Sequence, residues 1–245
     1  MMRKIFIYTF FIAYIFLMVH PSDAQENKYL KLNEKLSYKI KYGWLKIGDA
    51  EVSIDSTFHF FENEAYYLIQ FQLKTVAWLR IFANVNLRFE SYVSAKTLRP
   101  HHASRAIMSG KDSNIQLDQF TYADSVYVKT HRQEKLETNI NVYPRIGPAF
   151  TDALSAYMYV RSRDLDMTKE EEARLYIANH LYEFKISPDY NFKGKNQKSY
   201  QLIFPPIKEF PRDKKNYVTL EKETNIPVEI RLSTDNGNFF FVLDK

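Results

Sequence analysis

Cysteine is absent from the 245 residues, which removes disulfide frameworks, thiolate zinc sites, iron–sulfur clusters and cysteine nucleophiles. Glycine is scarce, with six residues against nine prolines, so collagen-like and low-complexity character are excluded. Charge of neither sign dominates: 34 basic and 29 acidic residues give a net +5. The lysines alternate with apolar residues instead of gathering in the concentrated patch that nucleic-acid binding requires, so no nucleic-acid partner is expected. Long apolar runs are missing beyond the first twenty residues. Aromatics are what the chain has in abundance, 16% of residues with 19 Phe and 18 Tyr, and 45% is apolar. That is ample for a packed core and excludes intrinsic disorder.

The opening segment reads as a leader. Arg3 and Lys4 form a positive start, Ile5 to Val19 carries no charge, and Ser22-Asp23-Ala24 places small residues at the −3 and −1 positions of a cleavage site. A helix over Ile5–Val19 reaches only about 22 Å, short of the ~30 Å hydrocarbon core. Residues 1–24 are therefore expected to be a signal peptide removed after Ala24, leaving 25–245 as one β-rich domain without a transmembrane span. No cysteine follows the apolar run, so lipoprotein processing is excluded, and the expected location is the periplasm.

Along the rest of the chain the dominant signal is period-two alternation. Leu36, Tyr38, Ile40, Tyr42 and Trp44 interleave with Lys35, Ser37, Lys39 and Lys41, the pattern of a half-buried strand. A turn is expected at Lys46-Ile47-Gly48-Asp49, followed by Ala50, Val52 and Ile54. Further runs are Tyr67/Ile69/Phe71/Leu73, Leu87/Phe89, Ile115/Leu117, Val126/Val128, Leu136/Ile140/Val142, Leu175/Ile177, Tyr182/Phe184/Ile186, Tyr200/Leu202/Phe204, Ile226/Val228/Ile230/Leu232 and Phe239/Phe241/Leu243. This is an all-β, mainly antiparallel protein. One segment breaks the rhythm. Phe150, Ala153, Leu154, Tyr157 and Met158 fall at helical spacing and predict one amphipathic helix at about 150–163. Thr151 or Asp152 offers the N-cap and Arg161 and Arg163 suit the C-terminal turn. Asp152 is expected to anchor the helix start, with Ser155 beside it near the sheet's rim. Pro205-Pro206 to Lys215 reads as a long exposed loop.

Lys35-Leu-Ser-Tyr-Lys-Ile-Lys-Tyr-Gly-Trp-Leu-Lys-Ile-Gly-Asp-Ala-Glu-Val resembles the opening strand pair of an exported bacterial family called domain of unknown function 3108. Thr97-Leu-Arg-Pro100, Asp152-Ala-Leu-Ser-Ala-Tyr-Met-Tyr-Val-Arg161 and Ile226-Pro-Val-Glu-Ile230 match in the same order, so the resemblance spans most of the chain. It implies an all-β fold with one helix and export to the periplasm. It carries no catalytic residues, since the family has none assigned.

The chemistry-bearing residues assemble into no recognisable catalytic or metal motif. Neighbouring His101 and His102 would reach one metal only from a loop, and a solvated turn after Pro100 is the simpler reading. Asp164, Asp166 and Glu170 to Glu172 lack the glycine and the spaced oxygen ligands of a calcium loop. Ser155 lacks the flanking glycines of a nucleophile elbow, and Lys193-Gly194-Lys195 with Lys198 lacks the glycine spacing of a phosphate loop. No metal, cofactor or catalytic residue is expected. The expected architecture is a strongly curved sheet or half-open barrel with the 150–163 helix against its concave face, similar in outline to periplasmic lipoprotein carriers by analogy of fold alone. On it, Tyr38, Tyr42, Trp44 and Trp78 are candidates to line a pocket for an apolar ligand, a lipid-bearing partner or a glycan. The expected function is thus a non-enzymatic envelope protein that binds such a ligand. The rival readings are an envelope polysaccharide hydrolase using paired carboxylates and a structural partner in an outer-membrane assembly.

Overall fold

The structure is a computed structural model that describes residues 27–82, 84–109, 112–162, 168–177, 179–204, 215–234 and 237–244. The expected leader, Arg163, Asp164, Asp166 and most of the Pro205–Lys215 loop lie outside the described residues. In chain order the strands are β1 (Lys35–Tyr42), β2 (Leu45–Ile54), β3 (His59–Phe61), β4 (Glu64–Thr75), β5 (Val85–Ser94), β6 (Pro100–Ser109), β7 (Asp112–Tyr122), β8 (Ser125–Arg132), β9 (Glu137–Pro144) and β10 (Ala149–Thr151). Helix α1 (Ala153–Ser162) follows, then β11 (Glu171–Ile177), β12 (His180–Pro188), β13 (Gln197–Ile203), β14 (Asn216–Glu221), β15 (Pro227–Thr234) and β16 (Gly237–Leu243).

The sixteen strands among the described residues belong to one sheet. It runs β10-β11-β12-β13-β14-β15-β16-β1-β2-β4-β5-β6-β7-β8-β9, with β3 paired to β4. Most neighbours are consecutive hairpins, as short Asn-, Asp- and Gly-bearing turns dictate. The exceptions are instructive. The chain's last strand, β16, pairs with its first, Phe241 opposite Ile40, which splices the two halves into one surface. β10 and β11 pair in parallel, Phe150 beside Arg174, which is sterically feasible because α1 provides the crossover between them.

The sheet curls until its ends meet, but β9 and β10 do not join by a backbone ladder. Side chains bridge the seam instead. Thr130 Oγ1 lies 3.0 Å from the Tyr176 hydroxyl, and Gln116 Nε2 donates to Asn179 Oδ1 at 3.2 Å. Arg174 donates to the carbonyls of Pro144 and Pro148 at 2.7 and 3.0 Å. Phe120, Val128, Phe150 and Tyr176 pack beneath these contacts. The result is the half-open barrel that the alternation implied.

Several local expectations are corrected. The first hairpin turns at Gly43-Trp44, where Gly43 takes φ +58°, and not at residues 46–49. Gly48 lies inside β2, where a Cβ would approach the Lys74 carbonyl oxygen to 3.0 Å. In β7 the inward residues are Gln116, Asp118 and Phe120, so Leu117 faces out. The apolar pattern named the wrong face there because this part of the barrel interior is polar. His101 and His102 sit in β6, a strand and not a turn, with their rings in edge contact at 4.3 Å. β14, whose buried Asn216 and Thr219 interrupt its apolar pattern, is a strand that the alternation did not reveal.

Helix α1 begins at Ala153, three residues later than the spacing suggests, and Phe150 is buried from β10. Leu154 and Met158 enter the main core with Leu30, Tyr67 and Ile69. The helix is buried well beyond one stripe. Ser155 and Arg161 are fully enclosed and Asp152 nearly so, which corrects the placement of Asp152 and Ser155 near the rim.

Candidate functional site

Helix α1 stands inside the curled sheet, and the space left between them is the candidate site. Its larger part, about 270 Å³, lies between the Ala153, Ala156 and Val160 side of the helix and the inner faces of β11–β15. Phe184, Leu202, Ile230 and Leu232 form that wall, where the sequence alternation brings every second residue inward. A second part of about 200 Å³ lies under β1, β2, β4 and β5, lined by Tyr38, Phe71, Phe89 and Phe241. The two parts share Ala153, Tyr157, Ile230 and Leu232. The two adjoin along these residues, and neither has a charged lining residue.

Polar groups occupy the two ends of the site. At one, the hydroxyls of Tyr38 and Tyr157 lie 3.4 Å apart. Behind them Arg161 donates through Nη1 and Nη2 to the carboxylate of Glu34 and through Nη2 to the Tyr29 carbonyl at 3.0 Å. Burial pushes both tyrosine hydroxyls far above their ordinary pKa, so both stay protonated donors. The guanidinium is already neutralised by Glu34 and presents no free charge to the cavity.

At the other end is the start of α1. Ser155 N–H donates to Asp152 Oδ1 at 2.7 Å, and Asp152 N–H donates to Ser155 Oγ at 2.8 Å. This reciprocal pair satisfies two of the four backbone donors that a helix start leaves open, so Asp152 is the N-cap. A second carboxylate, Asp118, shares a small space of about 40 Å³ with Asp152, Arg105 and Tyr176. Asp118 accepts from Thr130 Oγ1 at 2.5 Å and from Gln116 Nε2 at 2.9 Å. Burial pushes both carboxyls above the ordinary range, their hydrogen bonds oppose the shift, and the Asp152 charge adds to it at Asp118. The space admits about one water.

A pH dependence follows from Asp118. Its folded pKa lies above the ordinary 3.8, so between those two values the folded state holds more protons than the unfolded one, and stability falls as pH rises through that window. Asp118→Asn removes this contribution. In urea titrations at a series of pH values, the variant's stability relative to the parent is expected to increase from about pH 4 upward and then level off. A relative stability that decreases over that range contradicts the assignment.

Of the four aromatic candidates, only Tyr38 lines the cavity. Tyr42 packs at the barrel rim on Phe239, ring centroids 5.3 Å apart, and is 43% exposed. Trp44, in the hairpin turn, is 90% exposed and Trp78, in a short 3₁₀ turn after β4, is 51% exposed. The structure does not bring these three to the interior. Alternation ran straight through Gly43 in the sequence, whereas the chain reverses there. Glu34, Arg161 and Asp118 went unnoticed as a buried polar set. Their only sequence signal is a charge or carboxylate on an otherwise inward-facing pattern.

A larger groove of about 600 Å³ lies on the outer face of β5–β9, among Tyr92, His102, Leu117 and Lys129. Glu90, His102, Asp118, Lys129 and His131 line it, so it lacks the uncharged lining of the two spaces beside α1. Among the described residues no group of three or more potential ligands could hold a metal ion, and no helix is long and apolar enough to cross a membrane.

Among the described residues, a mainly antiparallel sheet curled round one helix, its seam bridged by side chains, defines a β-barrel-like protein. The same outline occurs in the crystal structure of a beta-barrel-like protein of domain of unknown function DUF1849 from Brucella abortus. That structure is similar with a TM-score of 0.59 at 8% sequence identity, covering 88% of this chain and 98% of the other. No curated protein matches the chain. The model of the family described as "Protein of unknown function (DUF3108)" matches residues 37–244, and the chain belongs to that family.

Proposed function

We propose that this is an exported, non-enzymatic envelope protein whose barrel interior holds an uncharged apolar ligand. The observation that supports this most directly is the pair of adjoining apolar spaces between α1 and the sheet, with small Ala153 lining both and Ala156 the larger. Close packing is the norm in protein interiors, so unfilled apolar volume beside small helix residues is best explained by a guest. No charged side chain lines either apolar space, so a charged headgroup would find no counter-ion there. Export rests on Arg3, Lys4, the apolar Ile5–Val19 run and the Ser22-Asp23-Ala24 site. A hydrolase would need its paired carboxylates open to a substrate, and Asp118 and Asp152 flank a space of about 40 Å³ with their oxygens engaged.

Native mass spectrometry of the protein purified from a cell-envelope extract tests the reading. A mass addition in the range of a lipid, lost on solvent extraction and regained on adding the extract back, is expected. A protein that is bare as purified and takes up no lipid afterwards contradicts it.

A further inference from the structure

The tryptophans that miss the interior gather elsewhere. The β1–β2 turn and the β4–β5 connection leave the sheet at the same end, because Gly48 faces Thr75 across the ladder and Val76 N–H donates to the Ile47 carbonyl at 3.1 Å. On these two tips Trp44 is 90%, Ile81 84%, Phe82 82% and Trp78 51% exposed. Met108 at the end of β6, paired across from Asn86, and Tyr42 at the end of β1 extend the same rim. Single exposed apolar residues are ordinary on protein surfaces, but large apolar side chains concentrated on one edge mark an interaction site.

We propose that this rim docks the protein on an anionic lipid surface, with Trp44, Trp78, Ile81 and Phe82 entering the headgroup region. Two features favour a bilayer over a protein partner. The apolar side chains stand on protruding tips that can wedge between lipids, whereas the well-packed core of a protein interface needs a complementary patch. Tryptophan at such tips suits the boundary between water and hydrocarbon. The charge also fits. Residues 41–49 and 74–82 carry Lys41, Lys46, Lys74 and Arg80 against one acid, Asp49, which is already bridged to Lys46 at 2.7 Å. Basic side chains flanking an apolar tip draw it to negatively charged headgroups. None of the tip residues lines the interior cavity, so docking is independent of the ligand reading and fails or stands separately from it.

The purified chain is mixed with vesicles of phosphatidylethanolamine and phosphatidylglycerol, and with vesicles of phosphatidylcholine alone, and assayed by flotation and tryptophan emission. Expected are co-flotation with the phosphatidylglycerol vesicles, a blue shift of the emission, and weakening by added salt. Ile81→Asp and Phe82→Asp each remove an apolar side chain that docking would bury, and each is expected to lower vesicle affinity about tenfold or more. Their near-complete exposure leaves the fold intact. Ile146, 92% exposed beyond β9 at the opposite end of the sheet, supplies the control, and Ile146→Asp is expected to leave binding unchanged. Absence of flotation and blue shift overturns the proposal. So does equal loss with Ile146→Asp, or a concentration-dependent dimer that Phe82→Asp abolishes, which would assign the rim to a protein partner.

Discussion

Replacing Glu34 by alanine is expected to destabilise the protein by about 3–5 kcal/mol, because it leaves the Arg161 charge buried without its counter-ion. Arg161 is fully enclosed. Both its terminal nitrogens hold Glu34, and its backbone carbonyl accepts from Asn225 Nδ2 at 2.8 Å. The pair thereby ties the end of α1 to the segment before β1 and to the β14–β15 turn. Arg161→Met is expected to cost less, since Glu34 keeps 13% of its side-chain surface exposed and can recover some hydration. Combining Glu34→Leu with Arg161→Met is expected to restore most of the loss, because two apolar side chains can fill the same volume without a desolvated charge. Urea unfolding of the Glu34→Leu and Arg161→Met single variants and of their combination gives the coupling directly. Additive losses in the double variant contradict a coupled buried pair.

Met158→Ala is expected to cost about 2–5 kcal/mol, the range for emptying a fully buried site of that size. Met158 is the helix residue set deepest in the main core, enclosed with Tyr67 and Ile69. Leu154→Ala belongs in the same range, whereas Asp152→Ala removes one cap and is expected to cost about 1 kcal/mol. The same urea series ranks the three. A Met158→Ala variant as stable as the parent would mean that α1 is not packed in the barrel, and the interior cavity would lose one of its walls.

Much of the fold was legible because it rests on a two-residue period. β1, β2, β4, β12 and β16 lie where Tyr38/Ile40, Val52/Ile54, Tyr67/Ile69, Phe184/Ile186 and Phe239/Phe241 placed them. The pattern failed where the chain's environment breaks the simple rule that the apolar face is the inner one. β7 turns Gln116 and Asp118 inward because the seam is held by hydrogen bonds, so its apolar Leu117 misled. β9 is an edge strand with Ile140 and Val142 on its outer side, and alternation alone does not say which face is covered. The helix was found from Leu154, Tyr157 and Met158, and Asp152 as its anchor from the residue types that cap helices. That the helix would be enclosed on its Ser155 and Arg161 sides depends on the sheet closing round it, a long-range event that no local window contains.

The candidate site was half legible. Aromatic abundance pointed to a lined interior, and Tyr38 is there, but the walls are chiefly Phe, Leu and Ile from β11 to β16. Small side chains at Ala153 and Ala156 leave the room, and a missing side chain leaves no mark in a hydropathy pattern.

Filling that room is the most direct test. Ala156 faces the larger part of the cavity, so Ala156→Trp places an indole where the ligand is proposed to sit. Binding of an apolar dye such as N-phenyl-1-naphthylamine, followed by its fluorescence enhancement, is to be compared in the parent and the variant, with urea unfolding as a check that both remain folded. The expected result is saturable binding by the parent and at least about tenfold weaker binding by the folded variant, the effect of excluding a buried apolar group. A folded Ala156→Trp variant that binds the dye as tightly as the parent would contradict an interior site.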